Sequence, residues 1–264
     1  MDLTEEQKKR YARHLLLQGV GAAGQKKLLA GRVLVIGAGG LGSPVIMYLA
    51  ASGVGTIGIA DGDAVDLSNL QRQIIHSNRT VGMSKVESAG RWVREINADV
   101  CVRLYPEHIN SNNINDYIES YDFIIDATDN FASKFLINDA CVLAKKPFCH
   151  AGIREFYGQV LTYVPEEGPC YRCIFEEIPK EGTTDLCSAK GVIGSIPGVI
   201  GSIQALEAQK YLTGAGELLT GKMLTFNGLT MDFRTVGIPK RAESCRVCGE
   251  RADITAVCGE EYGI

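Results

Sequence analysis

The chain has 264 residues and a formal net charge of −4, from 27 Lys and Arg against 31 Asp and Glu. Apolar residues make up 45% and charged residues 22%, ordinary for a soluble globular enzyme, so disorder, collagen and coiled coil are excluded as the dominant state. The slightly acidic balance argues against nucleic acid as a partner, and the length suffices to bury one large α/β core.

Residues 4–29 read as helix, with Thr4 as N-cap and acidic residues just after it. RVLVI (32–36) is a buried strand, followed by GAGGLG and an apolar helix over 43–51. TIGIAD (56–61) is a second strand, 62–82 a polar loop, 84–96 a helix and 100–106 a third strand. Helix over 112–121, strand over 123–129, helix over 131–145 and a short fifth strand in PFCHAGI follow. This alternation predicts a Rossmann-like, doubly wound, mainly parallel sheet. Beyond residue 155 the pattern changes. GQVLTYV, KMLTFNG and TMDFRTV read as antiparallel strands extending the sheet, with a poorly patterned stretch over 165–190 and a long helix over 198–212. We expect one domain over 1–264, a nucleotide-binding half (1–155) continuous with a second half (156–264). The N-terminus is charged and not secretory in type. The most apolar stretch, 191–208, is broken by Pro197 and soon meets Gln204 and Glu207, so a buried helix, no membrane association and a cytoplasmic location are expected.

GAGGLG fits G-x-G-x-x-G through Gly37, Gly39 and Gly42, between a strand and a helix. Such glycines let backbone N–H groups approach a phosphate at a helix N-terminus. Asp61 ends the next strand, where a carboxylate holds ribose hydroxyls. A nicotinamide dinucleotide fits this much equally well. The next segment, DGDAVDLSNLQRQ, is unusual for a dehydrogenase: Arg72, and then Lys85, place cations close in sequence to the phosphate site. Hydride transfer needs no such pair, whereas phosphate chemistry does. Asp129, at the end of the fourth strand, falls at the carboxyl edge of the sheet and can hold Mg²⁺ through one carboxylate. Taken singly, each of these residues also reads as a solvated charge or a helix cap.

RYARH, GAGGLG, SNLQRQ, VGMSKVESA, DATDN, CYRC, GVIGSIQALEAQK and CRVC occur in that order. As an ordered set they resemble the MoeB/ThiF/HesA family, bacterial relatives of ubiquitin-activating enzymes, over essentially the whole chain. The resemblance implies ATP and Mg²⁺ as cofactors and an adenylyltransferase. Its substrate would be the C-terminal glycine carboxylate of a small ubiquitin-like sulfur-carrier protein ending in Gly-Gly. Residue by residue it implies Gly40 against the nucleotide and Asp61 on the ribose. Ser68, Asn69, Leu70, Gln71, Arg72 and Gln73 line the phosphate side. Lys85 pairs with phosphate, and Asp129 with Asn130 serves metal and nucleotide. Arg13 matches an arginine that reaches the triphosphate across a homodimer interface; His14 stands where some relatives carry Gln. The chemistry agrees: a carboxylate is already ionised at neutral pH, so adenylation needs positioning and cations rather than a general base.

Cys170-x-x-Cys173 and Cys245-x-x-Cys248 offer four thiolates, a complete tetrahedral set for a structural Zn²⁺. Two local disulfides or a redox pair are the alternatives. Cys187 lies before the long helix, where many relatives carry a cysteine; it is either an acyl acceptor or inert. Cys101, Cys141 and Cys149 read as small core residues. The competing readings are an NAD(P)-dependent oxidoreductase, which leaves Arg72, Lys85, Asp129 and the four cysteines unexplained together, and a non-catalytic nucleotide-binding scaffold. The pathway stays open between thiamine and molybdenum-cofactor biosynthesis. A separate sulfur donor, of cysteine desulfurase or rhodanese type, is expected. The apolar, glycine-rich 191–212 region also points to a homodimer.

Overall fold

The computed structural model describes residues 2–179, 191–238 and 241–263. Eight strands form one mixed sheet in the order β3-β2-β1-β4-β5-β6-β7-β8. They are β1 (Arg32–Ile36), β2 (Thr56–Ala60), β3 (Cys101–Tyr105), β4 (Phe123–Asp126), β5 (Phe148–Arg154), β6 (Tyr157–Tyr163), β7 (Lys222–Asn227) and β8 (Asp232–Gly237). The first five pair in parallel. The last three are added antiparallel.

The helices are α1 (Glu5–Arg10), α2 (Ala12–Leu15), α3 (Gly21–Ala30), α4 (Gly42–Ser52), α5 (Lys85–Ile96), α6 (Ile114–Glu119), α7 (Phe131–Leu143), α8 (Ser195–Thr213) and α9 (Gly259–Tyr262). The sheet is apolar on both faces, as parallel strands under crossover helices must be. One face packs Val33, Val35, Ile57 and Ile59 against Val45, Leu49, Val86, Val93 and Ile200 of α4, α5 and α8. The other packs Leu34, Ile124 and Phe148 against Ile114, Ile118, Phe135 and Leu136 of α6 and α7 and against the cysteine segments.

Three elements differ from the sequence reading. The N-terminal helix is not continuous. It is interrupted at Tyr11 and breaks again after Leu15, where Gly19 and Gly21 take φ of +85° and +52°, a region that L side chains avoid. Strand β4 stops at Asp126, three residues early, because the Asp126 carboxylate accepts both the N–H (3.0 Å) and the hydroxyl (2.6 Å) of Thr128 and turns the chain out of the ladder. Helix α8 begins at Ser195 and carries Pro197 in its first turn, where a missing N–H costs nothing. No helix among the described residues is long and apolar enough to cross a membrane.

Candidate functional site

At the carboxyl edge of the parallel strands lies a cavity of about 890 Å³. The glycine loop makes its floor. Gly37 has φ of +102°, and a Cβ on Gly42 would sit 1.9 Å from the Gly37 carbonyl oxygen, so the loop closes only without side chains there. The Asp61 carboxylate, at the end of β2, accepts hydrogen bonds from the N–H of Ala38 (2.8 Å) and of Asp63 (2.9 Å). One carboxylate thus ties the glycine loop to the polar loop.

Lys85 opens α5 and is nearly buried. Its Nζ donates to Asp63 Oδ2 at 2.6 Å and stands 3.8 Å from Asp61 Oδ1. Arg72 donates from Nη1 to the Ser68 carbonyl at 3.2 Å, and its stem passes close to Gly40. Gln73 is 4% exposed, lines the cavity beside Gly39, and its Oε1 accepts from no donor among the described residues. A buried acceptor of this kind wants a donor from a ligand. Gly loop, paired cations and orphan acceptor together fit a nucleotide.

Further along the sheet edge is a buried polar cluster that sequence reading missed. Asp126 is fully buried. Its Oδ2 accepts from His150 Nδ1 at 2.6 Å and lies 3.4 Å from Lys134 Nζ, which also donates to the Ala151 carbonyl at 2.8 Å. Burial alone would raise the Asp126 carboxyl, but Lys134 and the His150 and Thr128 hydrogen bonds hold it well below the usual range. Burial, reinforced by Lys134, pushes the His150 imidazole down against the pull of Asp126. The cluster is therefore one anion, one cation and a neutral ring. His76 is a second buried imidazole. Its Nε2 stands 2.9 Å from the Ala38 carbonyl, which can only accept, so Nε2 donates and Nδ1 accepts from the Ser88 hydroxyl at 2.8 Å. It braces the glycine loop from behind. Lys134 and His150 were legible only as polar residues among the mainly apolar residues of a helix and a strand.

On the α7 face of the sheet the four cysteine sulfurs lie within 4.8 Å of one another. The contacts run across the pairs as well as within them: Cys170 to Cys245 is 3.6 Å and Cys173 to Cys248 is 3.4 Å. Tetrahedral zinc with Zn–S of about 2.3 Å requires sulfurs about 3.8 Å apart, so the set fits zinc and does not form two local disulfides. Arg172, between the first pair, is buried. Its Nε donates to both oxygens of buried Asp139 on α7 at 2.9 Å, its guanidinium stacks 4.7 Å over Phe135, and Nη2 reaches Glu261 at 3.2 Å. Tyr262 closes the network through Asp139 at 2.8 Å.

The ThiF family model matches residues 11–247. The chain belongs to the ThiF family. It is 45% identical over 251 residues to the SAMP-activating enzyme E1 of Haloferax volcanii, covering 95% of this chain and 92% of that protein. It is 46% identical over 246 residues to the adenylyltransferase and sulfurtransferase MOCS3-1 of Zea mays, covering 93% of this chain and 53% of that one. The Mus musculus MOCS3 is 41% identical over 263 residues, and this chain spans 57% of it. The chain thus spans little more than half the length of these MOCS3 relatives. Among solved structures, MccB of E. coli bound to a MccA variant aligns with a TM-score of 0.81 at 25% identity, covering 92% of this chain and 75% of that one. A second MccB structure, with ATP, aligns at 0.79 and 26%, covering 91% and 73%.

Of the residues that the ThiF resemblance singles out, Gly37, Gly39, Gly40, Asp61, Gln71, Arg72, Gln73, Lys85, Asp129 and Asn130 line the cavity. Asn130 also caps α7, its Oδ1 accepting from the Ser133 N–H at 2.8 Å. Gly42 is spent on loop closure. Ser68, Asn69 and Leu70 sit in a short 3₁₀ turn and its cap, where Asp66 takes the Ser68 hydroxyl (2.6 Å) and Asn69 Oδ1 takes the Asp66 N–H (3.0 Å). Arg13 is exposed on α2 and does not line the cavity of its own chain. Cys187 lies outside the described residues. Cys141 and Cys149 are core residues as expected, but Cys101 is exposed because β3 is an edge strand with no neighbour on one side.

Proposed function

We propose that this ThiF-family chain is an ATP-dependent adenylyltransferase acting on the C-terminal glycine carboxylate of a small ubiquitin-like sulfur-carrier protein. The observation that carries this reading is a single cavity joining the glycine loop, Arg72, Lys85 and the exposed Asp129 carboxylate, and continuing past them to β5, β6 and β7. A nucleotide fills the first part; a second substrate has room in the rest. The names of the Haloferax and MOCS3 relatives agree with it.

In the reaction a carboxylate oxygen bonds to the α-phosphorus and the bond to the bridging oxygen breaks, releasing pyrophosphate. The carboxylate arrives ionised, so no residue need remove a proton. Arg72 and Lys85 offset the charge that repels it. Lys85 is held by Asp63 and Asp61 until phosphates compete for it. Asp61 holds the ribose. Asp129 would hold Mg²⁺, whose contribution is to neutralise the phosphates.

The chain acts as a homodimer in this reading. Leu16 (76% exposed) and Leu17 after α2, Tyr48 of α4 and Leu206 of α8 leave large apolar side chains on the surface, and Arg13 of α2 then reaches the partner's triphosphate. Zinc is structural. The carrier serves sulfur transfer in thiamine or molybdenum-cofactor biosynthesis, with a separate sulfur donor, in the cytoplasm.

The test is ATP–pyrophosphate exchange with purified protein and ubiquitin-like proteins ending in Gly-Gly from the same genome. Carrier-stimulated exchange is expected. Nicotinamide dinucleotide binding without any exchange would establish the oxidoreductase instead.

A further inference from the structure

His150 has a ring nitrogen that the fold leaves unused. Nδ1 donates to the Asp126 carboxylate, which fixes the tautomer, so Nε2 is a bare acceptor. The residue is 2% exposed, lines the cavity, and its Nε2 has no hydrogen-bond partner among the described residues. The ring packs against Tyr171, with centroids 4.3 Å apart and planes tilted by 44°. An acceptor buried, oriented and unpaired at a cavity wall is costly unless a ligand supplies the donor.

The surroundings say which ligand. Two residues on, and so on the same face of β5, stands Gly152, opposite Gln159 in the β5–β6 ladder. The Gln159 side chain lies against Gly152, its amide nitrogen 3.3 Å from where a Cβ would stand, and Gln159, Tyr157 and Gly158 line the cavity further along. That is a floor for an extended chain. The nucleotide lies elsewhere. Asp61 ends β2, and β2 is separated from β5 by β1 and β4. Three strand spacings are about 14 Å, with the glycine loop between. The nucleoside therefore falls on the β2 side of the phosphates, and His150 on the side from which the acyl substrate arrives.

We propose that His150 Nε2 is the acceptor for a backbone N–H in the terminal glycine residues of the carrier tail. This rests on the adenylyltransferase reading. It adds to that reading a residue that recognises the peptide rather than the nucleotide.

Two substitutions separate this role from support of the fold. His150→Asn keeps an amide donor for Asp126 and loses the far acceptor; His150→Gln reaches the Nε2 position and gives up the Asp126 bond. Carrier-stimulated exchange is measured with both variants, varying ATP and carrier in turn. His150→Asn should raise the carrier KM roughly 3- to 10-fold, the worth of one hydrogen bond, and leave the ATP KM unchanged. His150→Gln should restore most of the carrier KM. Semisynthetic carriers N-methylated at the last or penultimate glycine add the decisive comparison. Methylation at one of them should penalise the wild type and make little further difference to His150→Asn. A raised ATP KM with carrier KM unmoved would place the donor on the nucleotide and overturn the proposal. Equal penalties from methylation in wild type and His150→Asn would overturn it as well. A wild type with no exchange under any carrier would instead overturn the reading beneath it.

Discussion

Arg72 and Lys85 keep different company. Arg72 is half-buried and, among the described residues, bonded only to the Ser68 carbonyl, so its charge is ready for a phosphate; Lys85 is held by two carboxylates. Arg72→Ala should fold as wild type and lose on the order of 10²–10³ in exchange rate. Lys85→Ala should lose a similar factor, and additionally melt lower, because Asp61 and Asp63 are left facing each other. Near-normal exchange in both would contradict the assignment. Buried histidines set a pH limit. Burial lowers the imidazoles of His76 and His150. The folded chain keeps them neutral, while the unfolded chain takes protons below its ordinary value of about 6.5. The unfolded state then binds more protons, so stability falls as pH drops from about 7 to 5. Asp126, held low, gives stability that persists above its ordinary value of about 3.9 and is lost only on further acidification. Thermal melts at pH 7, 6 and 5 check this; a melting temperature unchanged across that range would refute it.

Among the elements, α7 has two duties. Its start carries Asn130 and, one turn in, Lys134; its middle carries Asn138 and Asp139, which hold the Tyr171 N–H and Arg172 between the paired cysteines. Asp139→Ala strands a buried guanidinium and should cost about 3–5 kcal/mol, whereas Arg172→Met together with Asp139→Leu should cost far less. Urea titrations of the single and double variants read the difference. The regular elements were legible because their periodicity and glycine punctuation report directly on the backbone. GAGGLG, the strands of the parallel half and the two cysteine pairs fall where their spacing puts them. What was not legible depends on three dimensions. His150 in PFCHAGI looks like a core residue until β4 brings Asp126 beside it. The end of β4 turns on the two hydrogen bonds from Thr128 to the Asp126 carboxylate, and the break after α2 on two left-handed glycines. The exposure of Cys101 follows from strand order, which no local pattern encodes.

For the whole molecule, the shared-site reading predicts complementation. Arg13→Ala and Asp129→Ala should each be inactive alone, and mixing them under subunit exchange should restore activity, since each mixed dimer regains one site with both residues intact. Mixtures that stay dead despite demonstrated exchange would sink the trans role. Metal analysis should find one zinc per chain at the four-cysteine site, and removing it by chelation should lower the melting temperature without blocking nucleotide binding at low temperature. Zinc-free protein that melts with the holoprotein would refute a structural metal. The cysteine cluster also has a polymer consequence. Cys170 and Cys245 are 75 positions apart, and α8, β7 and β8 all lie between them. A clip across a loop of that size removes about 4 kcal/mol of chain entropy from an open coil. Strand β7 must find β6 across a similar gap, Leu161 pairing with Met223. If the thiolates retain zinc during refolding, that search begins within a closed ring, and the C-terminal strands should join the sheet faster than in a chain refolded with chelator.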